Sequence, residues 1–254
     1  MSAPQDSPPQ KKYEANTGAE RMNGVSDSVL ELSGSDPEEA MFFFSGLHAE
    51  RRFHFSDVTK DADYYRVYVR DLFNVWYHKG LLGHTTNVNE TTDFLNDMIR
   101  NRGFKRVTFV GISAGGFAAI LFGKMVGVSV VHAFSPRTFI DIGGRLRCAD
   151  FRRLKELRRL YASGIADKIL DLKPVLLQSN GVTKYFIHYC SSMRLDRIHA
   201  SRLKQSMGVK LYAYRCHDHN VAAYLLNTHR ALSRILEVRE VEHMHQMHMA
   251  LDDS

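Results

Sequence analysis

Val107-Thr108-Phe109-Val110-Gly111-Ile112-Ser113-Ala114-Gly115-Gly116-Phe117-Ala118-Ala119-Ile120-Leu121-Phe122-Gly123 joins an apolar, β-branched run to a small-residue, helix-compatible run through five residues of the form G-x-S-x-G. Strand, tight turn and helix are the expectation. A serine between two small residues can occupy the apex of a strained turn, with its hydroxyl pushed out above the sheet. Gly111 and Gly115 let strand and helix pass where a Cβ would clash. The helix that starts there directs free backbone N–H groups toward the space beside Ser113, which suits a developing oxyanion. The string alone recurs in ordinary turns. Between this strand and this helix it points to a nucleophile.

The chain has 254 residues, 44% of them hydrophobic and 24% charged, enough for one α/β domain with a buried core. Its longest apolar stretches, such as Val126 to Phe134, are far shorter than a membrane span, and the first residues lack an apolar signal segment. Three cysteines, Cys148, Cys190 and Cys216, are odd in number and widely spaced, which argues against a disulfide framework and for a reducing, cytoplasmic setting. The net charge of +6 is concentrated: Arg145, Arg147, Arg152, Arg153, Lys155, Arg158 and Arg159 face only Asp150 and Glu156 in their segment. Phe151, Leu154, Leu157 and Leu160 recur there at helical spacing, so the basic residues read first as a solvated helix face. A nucleic-acid surface is a poor third choice after a solvated face and an anionic-ligand site, since interleaved exposed aromatics are lacking and the segment lies inside an α/β pattern, so no nucleic-acid partner is expected.

Residues 1–37 are rich in Ser, Pro, Gln, Asn, Asp and Gly and read as a flexible arm. An α/β domain is expected over 38–238, with a helical insertion or lid at about 144–180, followed by a His/Met-rich tail at 239–254. Six β-rich runs, Met41 to Phe44, Arg66 to Val69, Val107 to Val110, Ser129 to Ala133, Lys184 to Tyr189 and Val209 to Tyr214, are separated by helix-length connections. Helices are expected at Asn89 to Asn101, Gly116 to Met125, Ala149 to Ala162, Arg197 to Met207 and Asn220 to Val238. That alternation implies a mostly parallel sheet with helices on both faces. The tail Glu242-His243-Met244-His245-Gln246-Met247-His248-Met249 mixes imidazole and thioether groups but fits no defined zinc spacing, and reads as a frayed helix end or flexible segment.

In such sheets chemistry collects beyond the carboxyl ends of the strands. A serine needs a base within hydrogen-bond reach, and the base needs a carboxylate to hold its tautomer. Asp196 follows the fifth run and His219 the sixth, giving the Ser, acid, His order of the α/β-hydrolase arrangement. His217 is the rival base; Asp167, Asp171 and Asp218 are the rival acids, and the bland role for Asp196 is a helix N-cap. The backbone N–H of Ala114 and one from Gly46 or Leu47 are the expected oxyanion donors. Trp76, Tyr77, His78 and Arg137 are candidate substrate contacts. The mechanism calls for neither a cofactor nor a metal.

The chain resembles short bacterial α/β-hydrolase-fold proteins found beside polysaccharide and cell-surface glycan genes. The likeness is carried by Asp71 with Trp76-Tyr77-His78-Lys79-Gly80, Gly111 to Gly123, Ala133-Phe134-Ser135-Pro136, Ile187-His188-Tyr189, Asp196 with His199-Ala200, and His219-Asn220. These span most of Met41 to Leu236. Arg137 departs from the pattern, where Gln is expected. The resemblance implies a Ser-Asp-His hydrolase or acyl-transfer scaffold, and the order and placement of the triad lead to a hydrolase of esterase or thioesterase type. Its substrate would be an acylated glycan or another small, anionic acyl compound, and an acyltransferase is the alternative on the same scaffold. A binding module for a glycan or partner enzyme is the non-catalytic alternative, motivated by the arginine-rich segment. Composition leaves the oligomeric state open.

Overall fold

The computed structural model describes residues 27–49, 53–178, 182–228 and 230–252. A seven-stranded sheet forms from β1 (Val29–Leu32), β2 (Asp36–Phe44), β3 (Tyr64–Val69), β4 (Arg106–Ile112), β5 (Val130–Phe134), β6 (Lys184–Cys190) and β7 (Val209–Tyr214). Their spatial order is β1-β3-β2-β4-β5-β6-β7. All neighbours are parallel except β1, which runs antiparallel to β3 with Val29 opposite Val69. The six expected runs are the six parallel strands. The seventh is a correction: the sequence from Asp27 to Pro37, expected to end a flexible arm, belongs to the sheet, where the Arg70 guanidinium and N–H hold Asp27 O and Ser28 O. The earlier part of that arm, 1–26, lies outside the described residues.

The central parallel strands, such as β4 and β5, are buried on both faces, which is why they read as continuous apolar runs, while the outermost β7 exposes Lys210. Along β2, Ala40, Phe42 and Phe44 enter one core and Met41 and Phe43 the other, the two-residue period of a pleated strand. The first core packs under α1 (Val88–Arg102), α2 (Ala114–Val126), α4 (Leu154–Tyr161), α5 (Leu172–Leu177) and α6 (Arg194–Arg202); α3 (Ile142–Cys148) precedes α4. The second packs under α7 (Val221–Asn227), α8 (Leu232–Leu236) and α9 (Val241–Asp252). Two expected helices are corrected. The one expected at Ala149 to Ala162 begins only at Leu154, because Ala149 turns left-handed at φ 53° to end the preceding α3 and Asp150 is buried, and the one expected at Asn220 to Val238 is divided into α7 and α8. The tail is also corrected, because its α9 is docked. Met244 is fully buried, and His248 Nε2 donates to Ala213 O at 2.7 Å.

The second core holds a polar chain whose proton order is fixed by its end. His132 Nε2 lies 3.0 Å from Val238 O and must donate to it. His132 Nδ1 therefore accepts from His188 Nε2 at 3.1 Å, and His188 Nδ1 accepts from the Tyr214 hydroxyl at 3.0 Å. Burial pushes His132 down to about 3 and His188 well below its ordinary value, so both rings are neutral.

Candidate active site

Ser113 sits between β4 and α2 with φ 54° and ψ −111°, a backbone conformation that costs a non-glycine residue about 1–3 kcal/mol. The surroundings hold it there. Ser113 N–H donates to Phe134 O at 2.9 Å, and Arg137 N–H donates to Ser113 O at 3.2 Å, pinning the turn to the end of β5. A Cβ on Gly111 would lie 2.1 Å from Gly115 O, and one on Gly115 would lie 2.0 Å from Phe44 O. Both glycines thus answer to backbone contact, as the motif implies.

His219 leaves the loop after β7 and places Nε2 3.0 Å from Ser113 Oγ. Its Nδ1 lies 2.8 and 2.9 Å from the two oxygens of Asp196. With Nδ1 donating to the carboxylate, Nε2 is left as an acceptor facing the serine hydroxyl. The Asp196 carboxylate is buried while the His219 ring is partly open to solvent. The rival base His217 and the rival acids Asp167 and Asp218 are exposed, and Asp171 caps α5 and pairs with Arg202. The N-cap of α6 is Met193, so Asp196 lies in its first turn with its carboxylate turned to His219.

The expected donors and contacts divide. Ala114 opens α2, where its N–H has no intrahelical acceptor. Gly46 is a correction: its N–H donates to His54 Nδ1 at 3.1 Å and is spent, leaving Leu47 as the candidate donor of that loop. Tyr77 and His78 are corrected as well. The Tyr77 hydroxyl bonds Ser45 O at 2.8 Å, and both His78 ring nitrogens face the carbonyls of Val75 and Ile169 at 2.9 Å, so both side chains serve the fold. Trp76 is fully buried, and its Nε1–H has no partner among the described residues. Arg137 lies over that indole, 5.6 Å from guanidinium to ring, and ion-pairs with Asp150 through Nη2 at 2.7 Å; its Nε and Nη1 have no partner among the described residues. Burial pushes Arg137 down to about 10 despite Asp150.

The Trp76 turn is held by Asp71, whose carboxylate accepts the N–H groups of Phe73, Val75 and Tyr77 at 3.0, 2.6 and 2.9 Å. Burial nonetheless raises Asp71 to about 6. Beside the site a cavity of about 230 Å³ is lined by Phe53, Phe55, Val58, Leu226, Ile112 and Asn220, the last two adjoining Ser113 and His219 in sequence. Asp150 and Arg152 also belong to the site, since Arg152 Nη1 reaches Asp196 Oδ1 at 3.2 Å. In sequence they read as members of a solvated face. The available signal is a loop carboxylate, Asp150, two residues before an arginine.

A parallel sheet carrying a G-x-S-x-G turn after a central strand, with an acid and a histidine after the last two strands, defines the α/β-hydrolase fold. The chain has that fold. Solved structures similar to it include the capsule O-acetyltransferase of Neisseria meningitidis serogroup A, at 13% identity, TM-score 0.61, covering 88% of this chain and 98% of that one. MenH from S. aureus is similar at 12% identity and TM-score 0.55, covering 87% and 99%. FphF, a fluorophosphonate-binding serine hydrolase of Staphylococcus aureus, is similar at 11% identity and TM-score 0.54, covering 84% and 100%. No protein-family model matches the chain, and no curated protein matches it in sequence. Among the described residues no helix is long and apolar enough to cross a membrane.

Proposed function

We propose that this protein is a serine acyl hydrolase of esterase or thioesterase type, with Ser113, His219 and Asp196 as its catalytic residues. The observation that carries the proposal is the unbroken hydrogen-bond chain from Asp196 through His219 to Ser113. His219 Nε2 takes the hydroxyl proton as Ser113 Oγ bonds to the acyl carbon, and the carbonyl electron pair moves onto oxygen. The N–H groups of Ala114 and Leu47 hold that oxyanion. Collapse breaks the bond to the leaving alcohol or thiol, which carries away the proton from His219. Water then gives a proton to His219, attacks the acyl carbon and releases the acid as Ser113 regains its proton.

A sugar hydroxyl in place of that water turns the same acyl-enzyme into an acyltransferase. The similarity to a capsule O-acetyltransferase favours this second reading equally. The largely apolar cavity lined by Phe53, Phe55, Ile112 and Leu226 supports an acyl chain lodged beside the serine. Three free, buried cysteines fit a reducing, cytoplasmic setting.

Incubation with a fluorophosphonate probe tests the nucleophile: wild type is labelled and Ser113→Ala is not. A folded wild-type protein that stays unlabelled counts against an activated serine. Acyl esters, acyl thioesters and acetylated sugars, each assayed with and without an acceptor sugar, then separate hydrolysis from transfer.

A further inference from the structure

Asp196 Oδ1 is shared. It receives His219 Nδ1 at 2.8 Å and Arg152 Nη1 at 3.2 Å. Arg152 is itself gripped by a second carboxylate, with Nε on Asp150 Oδ1 at 2.9 Å and Nη2 on Oδ2 at 3.1 Å, the two-pronged geometry that fixes a guanidinium plane. The Arg152 N–H adds a third bond to Asp150 Oδ1 at 3.1 Å. Asp150 is braced from the far side by Arg137 Nη2 at 2.7 Å and His199 Nε2 at 3.1 Å.

The charge states around this bridge follow from the contacts. Burial holds His199 down to about 4, and Thr138 N–H donates to its Nδ1, so the neutral ring presents Nε2–H to Asp150. Burial pushes Asp150 up, but the bonds from His199 and Arg152 and the Arg137 and Arg152 charges outweigh it and keep it ionised. Asp150 and Asp196 thus face the Arg137 and Arg152 guanidiniums, and buried Arg145 adjoins them through the Arg152 carbonyl at 3.3 Å, so an imidazolium at His219 would add a positive charge that no further carboxylate of this cluster matches. Further titratable groups in this region are His217 and Asp218 in the exposed loop of His219 itself, Cys216, whose thiol burial keeps protonated, and His54 and Asp57, which line the neighbouring cavity with Asn220.

We infer that Arg152, braced by Asp150, is a positioning residue for Asp196: it fixes the carboxylate toward His219 Nδ1 and sets a positive charge against protonation of the imidazole. As a catalytic device this rests on the triad proposed above, but its electrostatic content does not. A carboxylate bonded only to His219 would hold the imidazolium more tightly and keep the ring protonated to higher pH. Arg152 moderates that hold while keeping the carboxylate in place.

The test uses the full chain with isotope-labelled histidine, the ring signals of His219 being assigned by their loss in His219→Gln. Titration midpoints are compared in wild type, Arg152→Gln, Arg152→Lys and Asp150→Asn, each checked for folding by circular dichroism. Arg152→Gln is expected to raise the His219 midpoint by about one pH unit, a tenfold change in proton binding. Arg152→Lys keeps the charge but loses the two-pronged grip, and is expected to displace the midpoint by less than half as much as Arg152→Gln. Asp150→Asn leaves the Arg152 charge unshared and moves the midpoint down. The opposite signs are a signature that a merely structural role does not produce.

An unchanged midpoint in folded Arg152→Gln, a displacement at least half as large in Arg152→Lys, or a rise in Asp150→Asn overturns the inference. Should Arg152→Gln fail to fold, Asp150→Asn decides it by the same criterion. Fluorophosphonate labelling of wild type runs alongside. Absent labelling removes the acyl-transfer chemistry, while the titration still decides what Arg152 does to His219.

Discussion

Acidification from pH 7 to pH 5 should destabilise this protein through its buried histidines before its paired carboxylates titrate. His132 is held by burial at about 3 and His199 at about 4, against an ordinary value of 6.5. The unfolded chain binds protons at these positions below about pH 6.5 while the folded protein does not, so stability is full above that value and falls as the pH drops toward the folded values. At pH 5 each of the two groups costs about 2 kcal/mol relative to pH 7. His188 and His78, both depressed by burial, act in the same direction.

Asp71 opposes them. Its folded value is raised to about 6, so below that pH the folded state takes up the proton first. The gain by pH 5 is about 1 kcal/mol. The net loss is about 3 kcal/mol or more, which lowers the unfolding midpoint by about 5–10 °C for a domain of this size. Thermal melts followed by circular dichroism at constant ionic strength measure it. His132→Gln should be less stable at pH 7 yet show a smaller drop to pH 5, by about 2 kcal/mol, because one titrating group is gone. Equal stability at the two pH values, or an undiminished drop in His132→Gln, would refute the assignment of neutral buried rings.

Gly115→Ala should prevent accumulation of folded protein, because its Cβ would lie 2.0 Å from Phe44 O. Gly103→Ala, left-handed at φ 72° but facing open space, should cost only about 1–2 kcal/mol in a urea melt; similar losses in the two would contradict the packing described for the serine turn. Asp71→Asn, which turns an amide toward backbone donors, should cost about 2–3 kcal/mol and shift Trp76 fluorescence, and an unchanged spectrum and melt would exclude Asp71 as the anchor of that turn.

The central strands were legible because burial on both faces writes itself as runs such as Met41 to Phe44 and Val107 to Val110. Ser113, Asp196 and His219 were legible because a parallel sheet brings the residues after its strands to one end, where the structure does bring them together. β1 was not, since Val29–Leu32 is four half-buried residues whose antiparallel pairing with β3 leaves no distinctive pattern. The spent Gly46 N–H was hidden because its acceptor, His54, becomes a neighbour only through the path of the following loop. Asp150 and Arg152 carried the wrong message for a related reason. Charges in a helical pattern look solvated unless the chain breaks its helix between them, and the break at Ala149 is a backbone event that its side chain does not announce.

The docking of α9 bears on how the molecule behaves in company. β7 is the last strand of the sheet, and Tyr214 O turns toward β6, where it accepts from Ser191 N–H; the alternate carbonyl, Ala213 O, therefore points outward from the edge. His248 caps that carbonyl, and its ring lies against Tyr212 and Tyr214. At the opposite border the short antiparallel β1 covers β3. An open parallel sheet offers a template for strand addition at each border, and it is at these borders that chains join into aggregates. The histidine-rich C-terminal helix is, in this light, a guard of the sheet's exposed margin, so that cutting it away would favour self-association even with Ser113, His219 and Asp196 intact.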